Sequence, residues 1–543
     1  MDDSPDIPAP EDEHAPGLLD VESPVVGEEA PDIPERPHWE PPVRTPLRGR
    51  DRAVLILILI ASAVAHFARL SVPGAPLPAD NEECEKRPPL GAQCYALIPL
   101  DEVHYVPDAR DVVRFGTDSD TRVPTSDDGA FVVHPPVGKW FMAAGIKIFG
   151  DRPFGWRFAG ALLGTLSSLI IYAIARRLWD SPWWSALAAA FLAIDGLWLA
   201  QSRIAMLDIY AAFFVLLGTW LLLEDRDRAS PDHHRYRWWR VGAATSFGFA
   251  LATKWSVLPF IAMAGLFSLG WELGKMRMAE RRRLLARAGK FAGVFGVLPL
   301  LLYFATYTPW LLDSHRYSPP RCVEVKGTVA KWGCYQAEIF DFHRNLAKYE
   351  ESTDQPTPSP KMKPAHPYFG NGYSWPWIGR PVAHFYESSG SGRDQRASEV
   401  LGLPNPVIWW SAFFLGLPLL VWWTLWRRDR VAPLLLAMFA AGWLPYVAAD
   451  LVDRPVFLFY ATPLVPFVVL TAVHTCRRLA ARFPVTRYVV FLYVAFALAA
   501  FAYFYPVVAG IPISYDGVWG WHGRMWFTSD CSVVDRVKYF CWI

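Results

Sequence analysis

Long apolar stretches recur through most of the chain and constrain its fold more than any other feature. A helix needs roughly 20 apolar residues to cross about 30 Å of hydrocarbon, and within lipid its backbone groups must be bonded internally. Some stretches are shorter than this, so the two spans assigned between 241 and 271 could be miscounted. We predict an all-α integral membrane protein with eleven spans, near 53–70, 157–175, 183–200, 205–223, 241–254, 255–271, 291–307, 405–426, 431–448, 456–474 and 486–506.

Composition supports this fold class and excludes others. The chain is 52% hydrophobic and only 19% charged, with a mean hydropathy of +0.16, whereas soluble domains are about 25% charged. Its 53 basic and 52 acidic residues leave a net charge of +1, so there is no basic face to favour a nucleic-acid partner. The sequence also has no Walker loop, dinucleotide-binding glycine motif or zinc-ligand spacing.

Loop charge predicts the orientation. Arginines concentrate in every second connection, near 176–180, 224–240, 272–290, 427–430 and 475–487, and positive loops stay on the cytoplasmic side. The N-terminus is therefore predicted inside and the C-terminus outside. The resulting domains are a disordered acidic, Pro-rich cytoplasmic tail (1–52), a transmembrane domain (53–506) with outer loops 71–156 and 308–404, and an extracytoplasmic tail (507–543).

Six of the seven cysteines fall two per outer segment, and only Cys476 lies at an inner boundary. Disulfides persist in oxidising compartments, so the pairs Cys84/Cys94, Cys322/Cys334 and Cys531/Cys541 are predicted disulfides. Free thiols are the alternative interpretation.

Charged residues at the outer ends of the spans are candidate functional groups, because charge near a membrane is costly. Asp101-Glu102-Val103-His104 offers carboxylates and an imidazole suited to general-base work on a hydroxyl, or else a solvated loop start. His134 and Lys139 precede the apolar run 140–149, which is too short to span and predicts an interfacial helix; an ordinary interfacial turn with Lys139 snorkelling is the alternative. Arg157 either snorkels to the interface or binds phosphate oxygens.

A second group of charged residues lies around the third and fourth spans. Asp208 falls one turn inside a span, so it should face the bundle and pair with Arg203 or Lys254; a structural ion pair is as reasonable as a functional site. Gly160 and Gly164, spaced by three residues, predict close helix packing.

Taken in order, these motifs resemble the protein O-mannosyltransferase family, membrane glycosyltransferases of the GT-C type. The resemblance is carried by Asp101–His104, His134–Lys139, Trp156–Phe158, Ser202–Asp208 and Lys254–Trp255. It implies a polyprenyl phosphate mannose donor, a Ser or Thr hydroxyl of a translocated protein as acceptor, and inversion at the anomeric carbon. The outer loop 308–404 is too short for the β-trefoil MIR repeats of fungal and animal relatives, which indicates a bacterial version in the plasma membrane.

The resemblance also implies roles for individual residues. Asp101 would be the general base, with Glu102 assisting or positioning it. Donor-phosphate or substrate contacts would come from Arg157, His104, His134, Lys139, Arg203, Asp208 and Lys254. No cofactor is firmly implied, a divalent metal has no support in the residues, and no metal site is expected. Expected partners are the lipid-linked donor, Ser/Thr-containing secreted proteins and membrane lipids, with the secretion translocon left open.

Two other classes compete with this interpretation. A GT-C transferase could move another sugar, such as arabinose, onto a glycan or lipid. A transporter would predict internal repeats and broken spans near the midplane, but the sequence shows no repeat and its charged clusters lie at one face.

Overall fold

The computed structural model describes residues 45–73, 75–76, 95–96, 102–116, 134–228, 237–274, 293–309, scattered positions from 325 to 337, 368, 370–451, 456–528 and 541–542. Helices dominate this part of the chain. They are α1 (Gly49–Phe67), α2 (Glu102–Phe115), α3 (Val137–Phe149), α4 (Pro153–Trp179), α5 (Pro182–Ala193), α6 (Gly196–Arg203), α7 (Leu207–Arg228), α8 (Trp238–Leu251), α9 (Leu258–Gly274), α10 (Leu298–Thr306), α11 (Pro406–Trp410), α12 (Leu417–Leu425), α13 (Ala432–Asp450), α14 (Val465–Arg482), α15 (Thr486–Val508) and α16 (Trp521–Arg524).

All eleven predicted stretches contain helix, but fewer are long and apolar enough to cross a membrane unaided. Within the described residues seven helices qualify, or eight if α5 and α6, bent by 56°, form one span. The helices over 49–67, 238–251 and 293–306 fall short, because the first begins with charges and the other two are brief. The protein is a multi-pass helical membrane protein, and the count of eleven stays a prediction.

The break between α5 and α6 is held by buried polar groups. The Asp195 carboxylate accepts hydrogen bonds from the backbone N–H of Trp198 at 2.9 Å and of Asn405 at 3.0 Å. The Asn405 amide donates in turn to the Ala497 carbonyl of α15 at 2.9 Å. A Cβ on Gly196 would lie 2.3 Å from the Leu403 carbonyl oxygen, so this close crossing requires glycine.

The paired glycines Gly160 and Gly164 predicted close helix packing, and the structure shows it, with α6 as one of the partners. A Cβ on Gly164 would lie 2.7 Å from that of Ser202 and 2.8 Å from Cδ2 of the His66 imidazole. The small residue lets three helices meet, as is usual inside membranes. This contact brings the end of α6, with Arg203, close to the end of α1.

The opposite ends of α4, α7, α8 and α9 carry a separate network of ion pairs. Arg177 of α4 pairs with Asp227 at 3.0 Å and with Glu224 of α7, and Arg240 of α8 pairs with Glu272 at 2.9 Å. We call this the Arg-rich end of the bundle. Residues at the edges of three of the predicted Arg-rich loops, near 176–180, 224–240 and 272–290, therefore meet at one end of the helices.

Beyond the helices, the described residues include five short strands in two sheets, so the prediction of an all-α fold was wrong and the fold is mostly helical. Strands β1 (Ala75–Pro76) and β2 (Tyr95–Ala96) pair with each other. Strands β3 (Val382–Ser389) and β4 (Arg396–Gly402) form an antiparallel hairpin, to which β5 (Ile513–Ser514) adds. Cys334 and Cys541 each take part in a disulfide, whereas Cys476 is free. The other predicted disulfide cysteines lie outside the described residues, so the three pairings stay predictions.

Glu399, in the middle of β4, carries a buried carboxyl group. It accepts a hydrogen bond from the Trp521 indole N–H at 2.6 Å, and its other oxygen has no partner among the described residues. Burial raises the pKa of Glu399 to about 8, because desolvation disfavours the charged form.

We therefore expect the hairpin to lose stability as the pH rises. The folded state holds the Glu399 proton more tightly than the unfolded chain, so the stabilisation is complete below about pH 4.5 and is lost as the pH passes about 8. The temperature at the midpoint of thermal unfolding should decrease as the pH is raised from 5 to 9. The variant Glu399→Gln should flatten that pH dependence. Glu387→Gln on the neighbouring strand is the control; a matching flattening there would refute the assignment.

Candidate active site

Glu102 and Arg157 form a fully buried ion pair between α2 and α4. The Arg157 Nε donates to Glu102 Oε1 at 2.6 Å and its Nη2 donates to Oε2 at 2.7 Å, in the bidentate geometry that suits guanidinium and carboxylate. The same carboxylate accepts from the Trp156 indole at 3.2 Å and from the Ala205 backbone N–H at 2.9 Å. Four donors converge on one side chain, so Glu102 ties α2 to α4 and to the start of α7.

This geometry bears on the roles expected of both residues. A carboxylate that already accepts four hydrogen bonds has its lone pairs occupied, so positioning describes Glu102 better than proton abstraction. The Arg157 guanidinium, expected to bind phosphate oxygens, directs its Nε and Nη2 edge at Glu102 and its Nη1 at the Leu70 carbonyl, 3.0 Å away.

Helix α2 was not expected, since the sequence around Asp101 suggested a loop at the mouth of a span. Three of its buried positions, Glu102, Val106 and Ala109, repeat every three to four residues and lie on one face of the helix; Asp111 is buried as well. That spacing was the available signal, and Pro107 within the helix obscured it.

Ion pairs join α2 to α3 and to the turn between α3 and α4. The Lys139 ammonium of α3 lies 3.0 Å from Asp108 of α2, and Arg110 of α2 donates to Asp151 at 2.8 Å. His134, just before α3, lies against Tyr105 with ring centroids 5.9 Å apart. Lys139 is thus buried against α2, and α3 does form over the run predicted to be an interfacial helix.

Arg203 closes the end of α6 against the end of α1. Its Nη1 donates to the carbonyls of Ala65 at 2.8 Å and His66 at 3.1 Å, which lack partners at a helix C-terminus. Its Nη2 is buried and has no hydrogen-bond partner among the described residues. Arg203 thus retains donor capacity for an anion.

Asp208 pairs with Lys254, as its position inside a span required. The Lys254 ammonium lies 2.8 Å from each Asp208 oxygen and 4.5 Å from the centroid of the Tyr460 ring. Of the two partners considered from sequence, Lys254 is the one found.

The structure also assembles residues that sequence reasoning missed. The Gln201 amide lies 2.8 Å from His384 Nε2, and both side chains are buried. Gln201 directly precedes the Ser202–Asp208 motif, which was an available signal. His384 comes from β3 and contacts Phe459; no local pattern pointed to it.

Two of the predicted site residues have no described side chain. Asp101 lies outside the described residues, and His104 is described only as part of the α2 backbone. Within the described ranges no three His, Cys, Asp or Glu side chains are grouped to hold a metal ion.

This helical fold, with buried charges at one end of the bundle, is that of a GT-C membrane glycosyltransferase. It matches the S. cerevisiae protein O-mannosyltransferase Pmt1-Pmt2 complex bound to the sugar donor, with a TM-score of 0.68 at 13% identity, over 92% of this chain and 95% of that one.

Sequence comparison gives the family. Residues 133–310 match the family model for dolichyl-phosphate-mannose-protein mannosyltransferase. The polyprenol-phosphate-mannose–protein mannosyltransferase of Mycobacterium tuberculosis is 30% identical, over 81% of this chain and 88% of its own. That of Mycolicibacterium smegmatis is 28% identical, over 94% and 99%. The chain belongs to the protein mannosyltransferase family.

The stability of the protein should depend on the buried ion pair of Glu102 and Arg157. Glu102→Gln leaves the Arg157 charge buried without a counter-charge, which should cost about 3–5 kcal/mol of unfolding free energy. Thermal unfolding in detergent should show a large drop, and the double variant Glu102→Gln with Arg157→Met should recover part of it. Arg110→Gln, which breaks a partly exposed pair worth about 0–1 kcal/mol, is the control. Equal small losses in both single variants would contradict this account.

Proposed function

We propose that this protein transfers mannose from a polyprenyl phosphate mannose to Ser or Thr hydroxyls of translocated proteins, with inversion. The observation that carries the proposal is the cluster of buried charges from α2, α4, α6 and α7 at one end of the bundle, in a chain belonging to this family over most of its length. The reaction takes place at the outer face of the bacterial cell membrane.

Orientation follows from the two ends of the same helices. Arg157 and Asp208 lie near the starts of α4 and α7, whereas Arg177 and Glu224 lie near their ends. Since Arg-rich ends face the cytoplasm, the charged site faces outward. This supports the proposed orientation, with the N-terminus inside; the eleven spans and the outer C-terminus rest on the apolar pattern of the sequence.

The reaction needs one base and a stabilised leaving group. The acceptor hydroxyl attacks the anomeric carbon, the bond from that carbon to the phosphate oxygen breaks, and the hydroxyl proton passes to the base. Asp101 is the proposed base, and Glu102 fixes the helix that begins directly after it. The polyprenyl phosphate leaves as an anion, so cations can stabilise it without a general acid.

Among the proposed donor contacts, Arg203 and Lys254 remain the best placed for the phosphate. Arg203 keeps an unsatisfied buried Nη2, and Lys254 is held at the start of its span by Asp208. Lys139 and Arg157 act mainly by ordering α2, and His104 and His134 stay proposed substrate contacts.

Asp101→Asn should abolish transfer, because the amide cannot accept the hydroxyl proton. The assay incubates membranes containing the protein with labelled polyprenyl phosphate mannose and a Ser/Thr-rich peptide, and follows label into the peptide. Asp516→Asn, an exposed acid distant in sequence, is the control. Unchanged transfer by Asp101→Asn would exclude Asp101 as the base. Transfer from an arabinose donor, with none from the mannose donor, would exclude mannose as the transferred sugar.

Arg203→Gln should weaken donor binding about tenfold, the effect of losing one charge-assisted hydrogen bond. The readout is the KM for polyprenyl phosphate mannose, which should rise more than kcat falls. The conservative variant Arg203→Lys keeps the charge and should recover part of the loss. An unchanged KM with a lowered melting temperature would show that Arg203 serves only to bond the carbonyls at the end of α1.

A further inference from the structure

A cavity of about 490 Å³ lies at the Arg-rich end of the bundle, away from the candidate active site. Its walls are four helix ends: α4 finishes at Trp179, α5 begins at Pro182, α14 finishes at Arg482 and α15 begins at Thr486.

The walls of the cavity combine aromatic rings with small side chains. Trp183 of α5 and Phe491 of α15 lie with ring centroids 6.3 Å apart and are 52% and 61% exposed. Trp179 forms a buried wall, while Ala480 and Ala481 of α14 leave the space open. Tryptophan at the end of membrane helices is typical of the lipid head-group level.

Two arginines line the same cavity, Arg477 from α14 and Arg487 from α15. Neither forms an ion pair within 4 Å among the described residues. The nearby acids are engaged elsewhere. Asp180 bonds Arg176 at 3.1 Å and the Thr45 hydroxyl at 2.9 Å, and Asp429 bonds Arg478 at 3.3 Å.

The Asp429 carboxylate also accepts hydrogen bonds at the start of α13. Its Oδ1 accepts from the backbone N–H groups of Val431 at 2.8 Å and Ala432 at 3.0 Å. No described acid therefore pairs with Arg477 or Arg487 within 4 Å, and the longer-range attraction of Asp429 on Arg477 is shared with Arg478 and His474.

We propose that this cavity binds the phosphate head group of an anionic membrane phospholipid. Guanidinium groups bind phosphate oxygens through paired N–H donors, and basic pockets between membrane helices on the cytoplasmic side bind anionic lipid head groups. The exposed faces of Trp183 and Phe491 would contact the acyl chains. The lipid would join α4 and α5 to α14 and α15, at the end of the bundle opposite the transferase chemistry, so the inference does not depend on that activity.

The test measures lipid binding by the purified full-length protein in mild detergent. Phosphatidylglycerol is titrated and bound lipid is counted by native mass spectrometry, for the unaltered protein and for Arg477→Gln and Arg487→Gln. Each variant should bind about tenfold more weakly, and phosphatidylcholine should bind weakly to all three. Arg482→Gln, on the same helix but outside the cavity, is the control and should bind as the unaltered protein does.

Three results would overturn the proposal. They are undiminished phosphatidylglycerol binding in both cavity variants, equal binding of phosphatidylcholine, and displacement of the lipid by millimolar inorganic phosphate, which would indicate a simple anion site. Unfolding midpoints measured without lipid show whether a variant has lost its fold. Because Arg487 is exposed, its substitution keeps the test decisive if Arg477→Gln is unstable.

Discussion

The buried bidentate pair of Glu102 and Arg157 is the interaction on which the rest of the site depends. An unpaired charge at that depth would be too costly, so each side chain requires the other. Because the Glu102 carboxylate also accepts the Ala205 backbone N–H, the pair sets the position of α2 relative to α4 and α7. Three segments distant in sequence are thereby fixed around one carboxylate, next to the proposed base Asp101.

A second layer of the site uses polar side chains to close helix ends inside a membrane. Arg203 and Arg157 donate to carbonyls at and just beyond the end of α1, and Asp195 caps α6. Such ends have no water to bond within the hydrocarbon. The same side chains that satisfy the backbone therefore gather cations near the place where an anionic leaving group would form.

Several features of this site followed from sequence alone. An acid one turn inside a span must find a counter-charge, and Asp208 does, at Lys254. Paired glycines in α4 predicted close packing with another helix, and the structure shows that Ser202 of α6 makes that contact. Helix α2 was missed because its buried face is short and interrupted by proline, and the Gln201–His384 contact was missed because it joins residues far apart in the chain.

The sequence by itself determined the fold class, the two ends of the bundle and the family, because apolar length, arginine distribution and ordered motifs are local patterns. Only the tertiary structure decided which charges face each other. Arg157 seemed a phosphate ligand by residue type, yet it is bonded to Glu102, while Arg203 retains an unsatisfied donor. Partner choice among buried charges depends on distances between helices, and these are set by packing across the whole bundle rather than by any segment of the chain.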